Sequence, residues 1–380
     1  MVLEYRVKTI HRLIYLLLFL GWNCQAQTLD NSLREKIDRV SSNSFIEPEL
    51  EVTTYMPNGD GPFPIVVINH GRSPGDAKFQ ERYRPTLAVR EFVSRGYAVV
   101  VPMRQGFSKS GGTEISGGCN VHSNGIQQAI SVKRTVEWAS SKSWADSSRI
   151  VVIGQSHGGL TTLAYGTDPQ IGVKLLINFA GGLRQTGCTG WEHSLISAIG
   201  EYGKKSKLHS IWFYGDNDSY FSPFVWKSAF EQYKLNGGQA ELIAFGQFGN
   251  DAHSMFGSRN GLQIWVPVVM KSFESVGLPT KVTQIIKPSS DITPPPESGF
   301  AKLNDVEKVP VKNDTARDGY KKWLEASPPK AFAIHPIKGS WASTWGGESP
   351  YSRALNNCSK FANDPCKLYA VDEIVVWSTE

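Results

Sequence analysis

Residues Arg149–Gly159, reading R-I-V-V-I-G-Q-S-H-G-G, constrain the fold more than any other stretch of the chain. Ile150 to Ile153 is a run of β-branched residues, the pattern of a strand buried on both faces. Gly154-Gln155-Ser156-His157-Gly158 follows as G-x-S-x-G, and small apolar residues from Gly159 to Leu163 open a helix. A strand that turns this sharply into a helix needs glycines, because a side chain at 154 or 158 would collide with the neighbouring strand or helix. Such a turn lifts the Ser156 hydroxyl out of the sheet and leaves the His157 backbone N–H free to face an oxyanion. A glycine-rich turn whose serine merely caps the helix is the alternative, and the rest of the chain has to decide between the two.

At 380 residues the chain can bury one large domain and a small one. Val2 to Arg12 is mildly basic, Leu13 to Trp22 is apolar, and Cys24-Gln25-Ala26 ends in a small residue, so residues 1–26 read as a secretory signal peptide. The apolar run is short for a membrane span. Trp22-Asn23 lacks the small residues that lipidation at Cys24 would need. Cleavage is expected after Ala26, giving a periplasmic or secreted protein, and an uncleaved signal segment is the one membrane contact on offer. Cleavage takes away three basic residues and one acidic one, so the net charge falls from +5 to +3. That is too near neutral for a nucleic-acid partner. Four cysteines remain, Cys119, Cys188, Cys358 and Cys366, an even number that in an exported chain predicts two disulfides. Cys358 and Cys366 flank one helix end and are expected to pair. No Cys/His cluster has zinc spacing, so no metal is expected, and no cofactor.

Leu29, Leu33, Ile37 and Val40 recur at helical spacing and predict an N-terminal helix; Glu49 to Met56 alternates like an edge strand. Strands at 64–69, 97–101, 150–153, 174–179, 211–214 and 240–245 alternate with helices at 87–95, 124–142, 223–235 and 261–276. Together they predict an α/β domain, residues 27–280, with a mostly parallel sheet covered on both faces. A proline-rich linker is expected over 281–310, with Pro-Pro-Pro at 294–296. Beyond it, residues 311–380 predict a small α+β module with helices at 315–326 and 351–361 and strands at 330–334 and 366–377.

A serine hydroxyl needs a base, and the base an orienting carboxylate. In chain order after Ser156 come Asp216 and Asp218, behind the 211–214 strand, and then His253, in the loop after the last strand. His70, beside Gly71 and ahead of the serine, suits an oxyanion loop better than a base. The backbone N–H groups of Arg72 and His157 are therefore the expected oxyanion hole.

The segments Asn69-His70-Gly71-Arg72, Pro102 to Phe107, Gly154 to Gly159, Tyr214 to Phe221 and Asp251-Ala252-His253 together resemble the dienelactone-hydrolase-like branch of the α/β-hydrolases, over about residues 45–278. The resemblance implies a Ser156-Asp218-His253 triad. Dienelactone hydrolases carry a cysteine nucleophile; serine here implies a general carboxylester hydrolase acting on a small-molecule or polymer ester. The strand order that the resemblance implies sets the strands before Cys119 and Cys188 three spacings apart, roughly 14 Å. Both following loops are long enough to close that gap, and the expected Cys119–Cys188 bridge would roof the acyl pocket. The excursion 183–208 is expected to form part of a cap, with Trp191 and His193 touching substrate. Residues 353–377 are similar to a small disulfide module appended to exported bacterial proteins, and nothing in 297–380 supplies a triad member.

Two alternatives accompany the esterase reading. One is a serine peptidase. The other is a non-catalytic envelope scaffold whose Trp341, Trp345, Tyr351 and Trp377 bind polysaccharide; the same aromatics are also what the core of so small a module is made from.

Overall fold

The computed structural model describes residues 29–41, 47–73, 75–116, 118–286, 292–326, 329–345 and 349–378. The expected signal segment, Met1–Ala26, lies outside the described residues. Among those described, no helix is long and apolar enough to cross a membrane.

The large domain carries an eight-stranded sheet: β1 (Lys36–Val40), β2 (Leu50–Tyr55), β3 (Phe63–Asn69), β4 (Ala98–Pro102), β5 (Ala145–Gln155), β6 (Val173–Phe179), β7 (Ser210–Tyr214) and β8 (Ala240–Ala244). Its order is β1-β2-β4-β3-β5-β6-β7-β8, parallel from β4 onward, with β1 and β2 antiparallel at one edge. The β-branched run of β5 serves both faces by the two-residue period of a strand. Ile150 and Val152 enter one core, and Val151 and Ile153 the other. The first core is closed by α2 (Val121–Ser140), α3 (His157–Tyr165), α4 (Trp191–Lys205) and α5 (Pro223–Leu235), and the second by α1 (Thr86–Val93) and α6 (Leu262–Ser275). This is the mostly parallel, two-sided α/β sheet that the alternation of strands and helices predicts, in the α/β-hydrolase arrangement that the resemblance implies.

The N-terminal expectation needs correction. Instead of a helix through Leu29–Val40, the chain makes a 3-10 turn, Asn31–Leu33, passes Arg34 in the left-handed region and pairs as β1 against β2. A four-residue apolar spacing over so short a window fits either element, and pairing with a sheet edge decides it. That pairing also makes β2 an interior, fully buried strand, and not the expected edge.

The C-terminal module holds α7 (Asp314–Glu325), β9 (Lys330–Ile334), β10 (Trp341–Trp345), α8 (Pro350–Ala362), β11 (Lys367–Val371) and β12 (Ile374–Val375) around a four-stranded antiparallel sheet, β10-β9-β11-β12. The sequence reading missed β10 and fused the last two strands; a turn at Asp372-Glu373 separates them. Trp341 stacks on Phe332, with ring centroids 5.3 Å apart, while Trp377 is buried and the Tyr351 hydroxyl donates to Asp372. Of the four aromatics considered for sugar binding, only Trp345 is exposed. The segment expected as a linker is docked at both ends. Thr283 and Gln284 bond to Ser94 and Val93 behind α1, and Ser298 bonds to Val375 in β12.

Candidate active site

The elbow forms as the sequence predicts. Ser156 stands between β5 and α3 at φ 57°, a conformation that side chains other than glycine rarely adopt. The close approaches that force glycine are explicit. A Cβ on Gly154 would sit 2.0 Å from the Gly158 carbonyl oxygen, and one on Gly158 would sit 2.2 Å from that of Asn69. The β3–α1 connection passes directly over the serine: a Cβ on Gly71 would stand 3.1 Å from Ser156 Cβ. Among the described residues, neither the Arg72 nor the His157 backbone N–H has an acceptor, so both remain available beside the hydroxyl.

The two loops beyond β7 and β8 bring an acid and a base together. His253 Nδ1 lies 3.0 Å from Asp218 Oδ2 and 3.1 Å from Oδ1. The Asp218 side chain is fully buried, and Oδ1 also accepts from the Tyr220 and Phe221 N–H groups at 2.8 and 2.9 Å. Those backbone bonds fix its orientation. Asp216 is exposed. Asp251, which the sequence reading passed over, ties the loops to each other. It accepts from the His253 and Ser219 N–H groups and from the Ser219 hydroxyl. Tyr220 covers the imidazole, ring centroids 4.4 Å apart. Ser156 and His253 line one cleft of about 830 Å³. Their side chains are not hydrogen-bonded to each other in this structure; such contacts are commonly long in a free enzyme and tighten around substrate.

His70 is no rival base. It is buried, its Nδ1 is bonded to the Gly71 carbonyl at 2.6 Å, and its Nε2 accepts from the Arg104 N–H at 3.1 Å. Burial, and after it the Arg104 charge, pushes its pKa well below the usual range, so the ring stays neutral. Arg104 itself was not anticipated. It is fully buried, and its guanidinium is held by neutral acceptors: the His70 carbonyl, Gln128 Oε1 at 2.9 Å and His157 Nδ1 at 3.4 Å. Asn124 Oδ1 takes the other nitrogen of His157 at 2.7 Å. One cation thus anchors the loop after β3 and the first residue of α3 from behind.

Both expected disulfides are present. Cys119–Cys188 has Cα atoms 5.6 Å apart, and Cys358–Cys366 has them 6.0 Å apart. The first does not roof the cleft: neither cysteine lines it. It joins the start of α2 to the start of α4, where the Ser194 hydroxyl also bonds the Cys119 carbonyl. The excursion that carries Cys188 folds largely as α4, burying Leu195, Ala198, Ile199 and Tyr202 in the core. Trp191 and His193 consequently line a separate pocket of about 350 Å³, which Asp218 also lines and which shares Tyr220 with the serine cleft. Among the described residues no group of His, Cys, Asp and Glu could hold a metal.

Residues 48–201 match the model of the X-Pro dipeptidyl-peptidase (S15) family, a range that includes Ser156 and ends before Asp218 and His253. No curated protein matches the chain. Among solved structures, an acylaminoacyl peptidase from Pyrococcus horikoshii aligns with TM-score 0.50 at 18% identity, covering 69% of this chain and 44% of its own. An esterase from Pyrococcus furiosus aligns with TM-score 0.48 at 16% identity, covering 66% and 97%. A Klebsiella pneumoniae protein described as a dienelactone hydrolase gives 0.47 at 15%, covering 63% and 98%. The strand order, the strained serine between β5 and α3, and the loops after β7 and β8 that carry Asp218 and His253 give the chain the α/β-hydrolase fold.

Proposed function

We propose that this chain is an exported serine hydrolase that cleaves carboxylic esters through an acyl-enzyme. The observation that carries the reading is the His253–Asp218 contact, 3.0 Å long, in the cleft that also holds Ser156. With Nδ1–H given to Asp218, the free His253 nitrogen, Nε2, is an acceptor. It takes the Ser156 proton as Oγ bonds to the ester carbonyl carbon. The carbonyl oxygen becomes an oxyanion held by the Arg72 and His157 N–H groups. Collapse breaks the bond to the alcohol oxygen, which leaves with the proton from His253. Water then repeats the sequence on the acyl-enzyme, yielding the acid and free Ser156. Asp218 holds the His253 tautomer throughout. The two disulfides support an oxidising, extracytoplasmic location.

The match to the dipeptidyl-peptidase family model over residues 48–201 favours a second reading, cleavage of peptide amides. A dipeptidyl peptidase must accept an ammonium two residues from the scissile bond. This cleft is lined by Arg72, Arg82, Arg84, Arg353 and Lys360, which oppose one. The test is labelling of the full chain by a fluorophosphonate. Labelling that disappears in Ser156→Ala, with p-nitrophenyl esters turned over at least about a hundredfold faster than X-Pro anilides, supports the esterase. Absence of labelling in the folded wild type rejects both enzyme readings and leaves the scaffold.

A further inference from the structure

The cleft that holds Ser156 is not built by the large domain alone. Arg353, Asn357, Lys360 and Phe361 of α8 line it together with Ser156 and His253. These positions follow helical spacing and share one stripe of α8, while a different stripe, Ala354, Cys358 and Ala362, is buried in the module's own core. The helix therefore serves the module with one face and the cleft with another. Lys360 Nζ reaches Glu81 Oε1 at 3.0 Å across the boundary, which registers the two parts at the mouth of the cleft.

The lining carries an excess of positive charge: five cations, Arg72, Arg82, Arg84, Arg353 and Lys360, stand against three carboxylates, Glu35, Glu81 and Glu114, which pair with four of them. Of the three, Glu81 is the one carboxylate among the described lining residues. The arginines of the large domain are fixed in place: Arg72 on Glu114, and Arg82 and Arg84 on the buried Glu35. Cations whose positions are set before a ligand arrives lose little side-chain entropy on binding. At the lips, Phe79 and Phe361 are 85% and 77% exposed, so the entrance pairs apolar surface with positive charge.

We infer that the cleft selects esters whose acyl part carries an anionic group, and that α8 of the C-terminal module is part of the substrate site. The inference rests on the esterase reading above and names its substrate class. A cleft with an excess of one sign and low-dielectric walls concentrates ligands of the opposite sign, raising encounter rates by about 10- to 1000-fold, and salt screens the effect.

The experiment compares kcat/KM of the full chain for the p-nitrophenyl esters of glutaric acid, 4-sulfobutyric acid, valeric acid and 4-(trimethylammonio)butyric acid. The two anionic arms tell a site for any anion from one shaped for a carboxylate. Expected is a preference for an anionic over the neutral ester of about tenfold at low salt, shrinking several-fold at about 0.5 M salt, with the cationic ester the poorest. The double variant Arg353→Gln/Lys360→Gln should lower the anionic-to-neutral ratio at least about fivefold. A wild-type ratio of one or less at low salt overturns the inference, and a ratio unmoved in the double variant overturns the part given to α8. Calorimetry of Ser156→Ala with the 4-nitroanilides of glutaric and valeric acid reads the same preference without turnover; equal affinity overturns it. Loss of all ester turnover alongside a preserved binding preference would instead reject the esterase reading alone.

Discussion

Two aspartates follow β7 within three residues, and only the backbone tells them apart. Asp218 turns inward because the Tyr220 and Phe221 N–H groups bind its carboxylate, and His253 Nδ1 meets it there. Asp216 offers its own N–H to the Gly246 carbonyl and leaves its side chain in solvent. Asp218→Asn should therefore lower kcat by about 10⁴-fold, because an amide at that place holds the wrong imidazole tautomer, whereas Asp216→Asn should stay within about threefold of wild type. Steady-state kinetics on a p-nitrophenyl ester decides it, and the opposite ranking would reject the assignment. Spacing alone left both acids open, the resemblance favoured Asp218, and His253 Nδ1 lies 3.0 Å from Asp218 Oδ2. Arg104 illustrates what residue types conceal. An arginine after a strand reads as surface, since arginine is almost never fully buried without a partner. Nothing local to Pro102-Met103-Arg104 reveals that carbonyl and imidazole acceptors wait for it inside.

At the scale of elements, the parallel strands were legible because burial on both faces leaves an unbroken β-branched signature, as in β5. β1 was not, because its identity depends on a partner strand ten and more residues away. The same turn places Glu35 where Arg82, Arg84 and the Asp30 N–H converge, with Arg82 Nη1 at 2.6 Å. Burial pushes the Glu35 carboxyl up, but the bonds from Arg84 and Arg82 outweigh it and hold the pKa below its ordinary value of 4.5. A depressed folded-state pKa contributes stability that is complete above about pH 4.5 and lost as pH falls through the depressed value. Urea unfolding at a series of acid pH values should show that loss in wild type and a flatter profile in Glu35→Gln. At neutral pH this variant should already be about 3 kcal/mol less stable, since the buried Arg82 and the half-buried Arg84 lose their carboxylate. Parallel acid profiles for the two proteins would assign the acid sensitivity elsewhere.

For the whole molecule, the sequence reading held the C-terminal module dispensable for chemistry, since it carries no triad member. The wall that α8 gives the cleft qualifies this. A chain ending at Ile286 keeps both cores of the large domain and all three proposed catalytic residues. It should still be labelled at Ser156 by a fluorophosphonate, but its anionic-to-neutral ester ratio should fall at least as far as in the Arg353→Gln/Lys360→Gln double variant. A truncated chain with wild-type discrimination would show that the module plays no part in choosing substrate. The contact of α8 with the cleft could not be foreseen, because its stripe looks like any solvated helix face until another domain lies opposite. The tethering that holds it there has a thermodynamic side. Gln284 is bound to the large domain and Ser298 to the module, so thirteen residues, 285–297, lie between the fixed points. An extended proline-rich chain of that length spans at most about 45 Å. Confinement to so small a volume amounts to a local concentration on the order of millimolar. A wall contact worth about 4 kcal/mol, only a millimolar dissociation constant between two separate molecules, is then populated for about half of the time, and the site can be shared between two folding units without a large interface to join them.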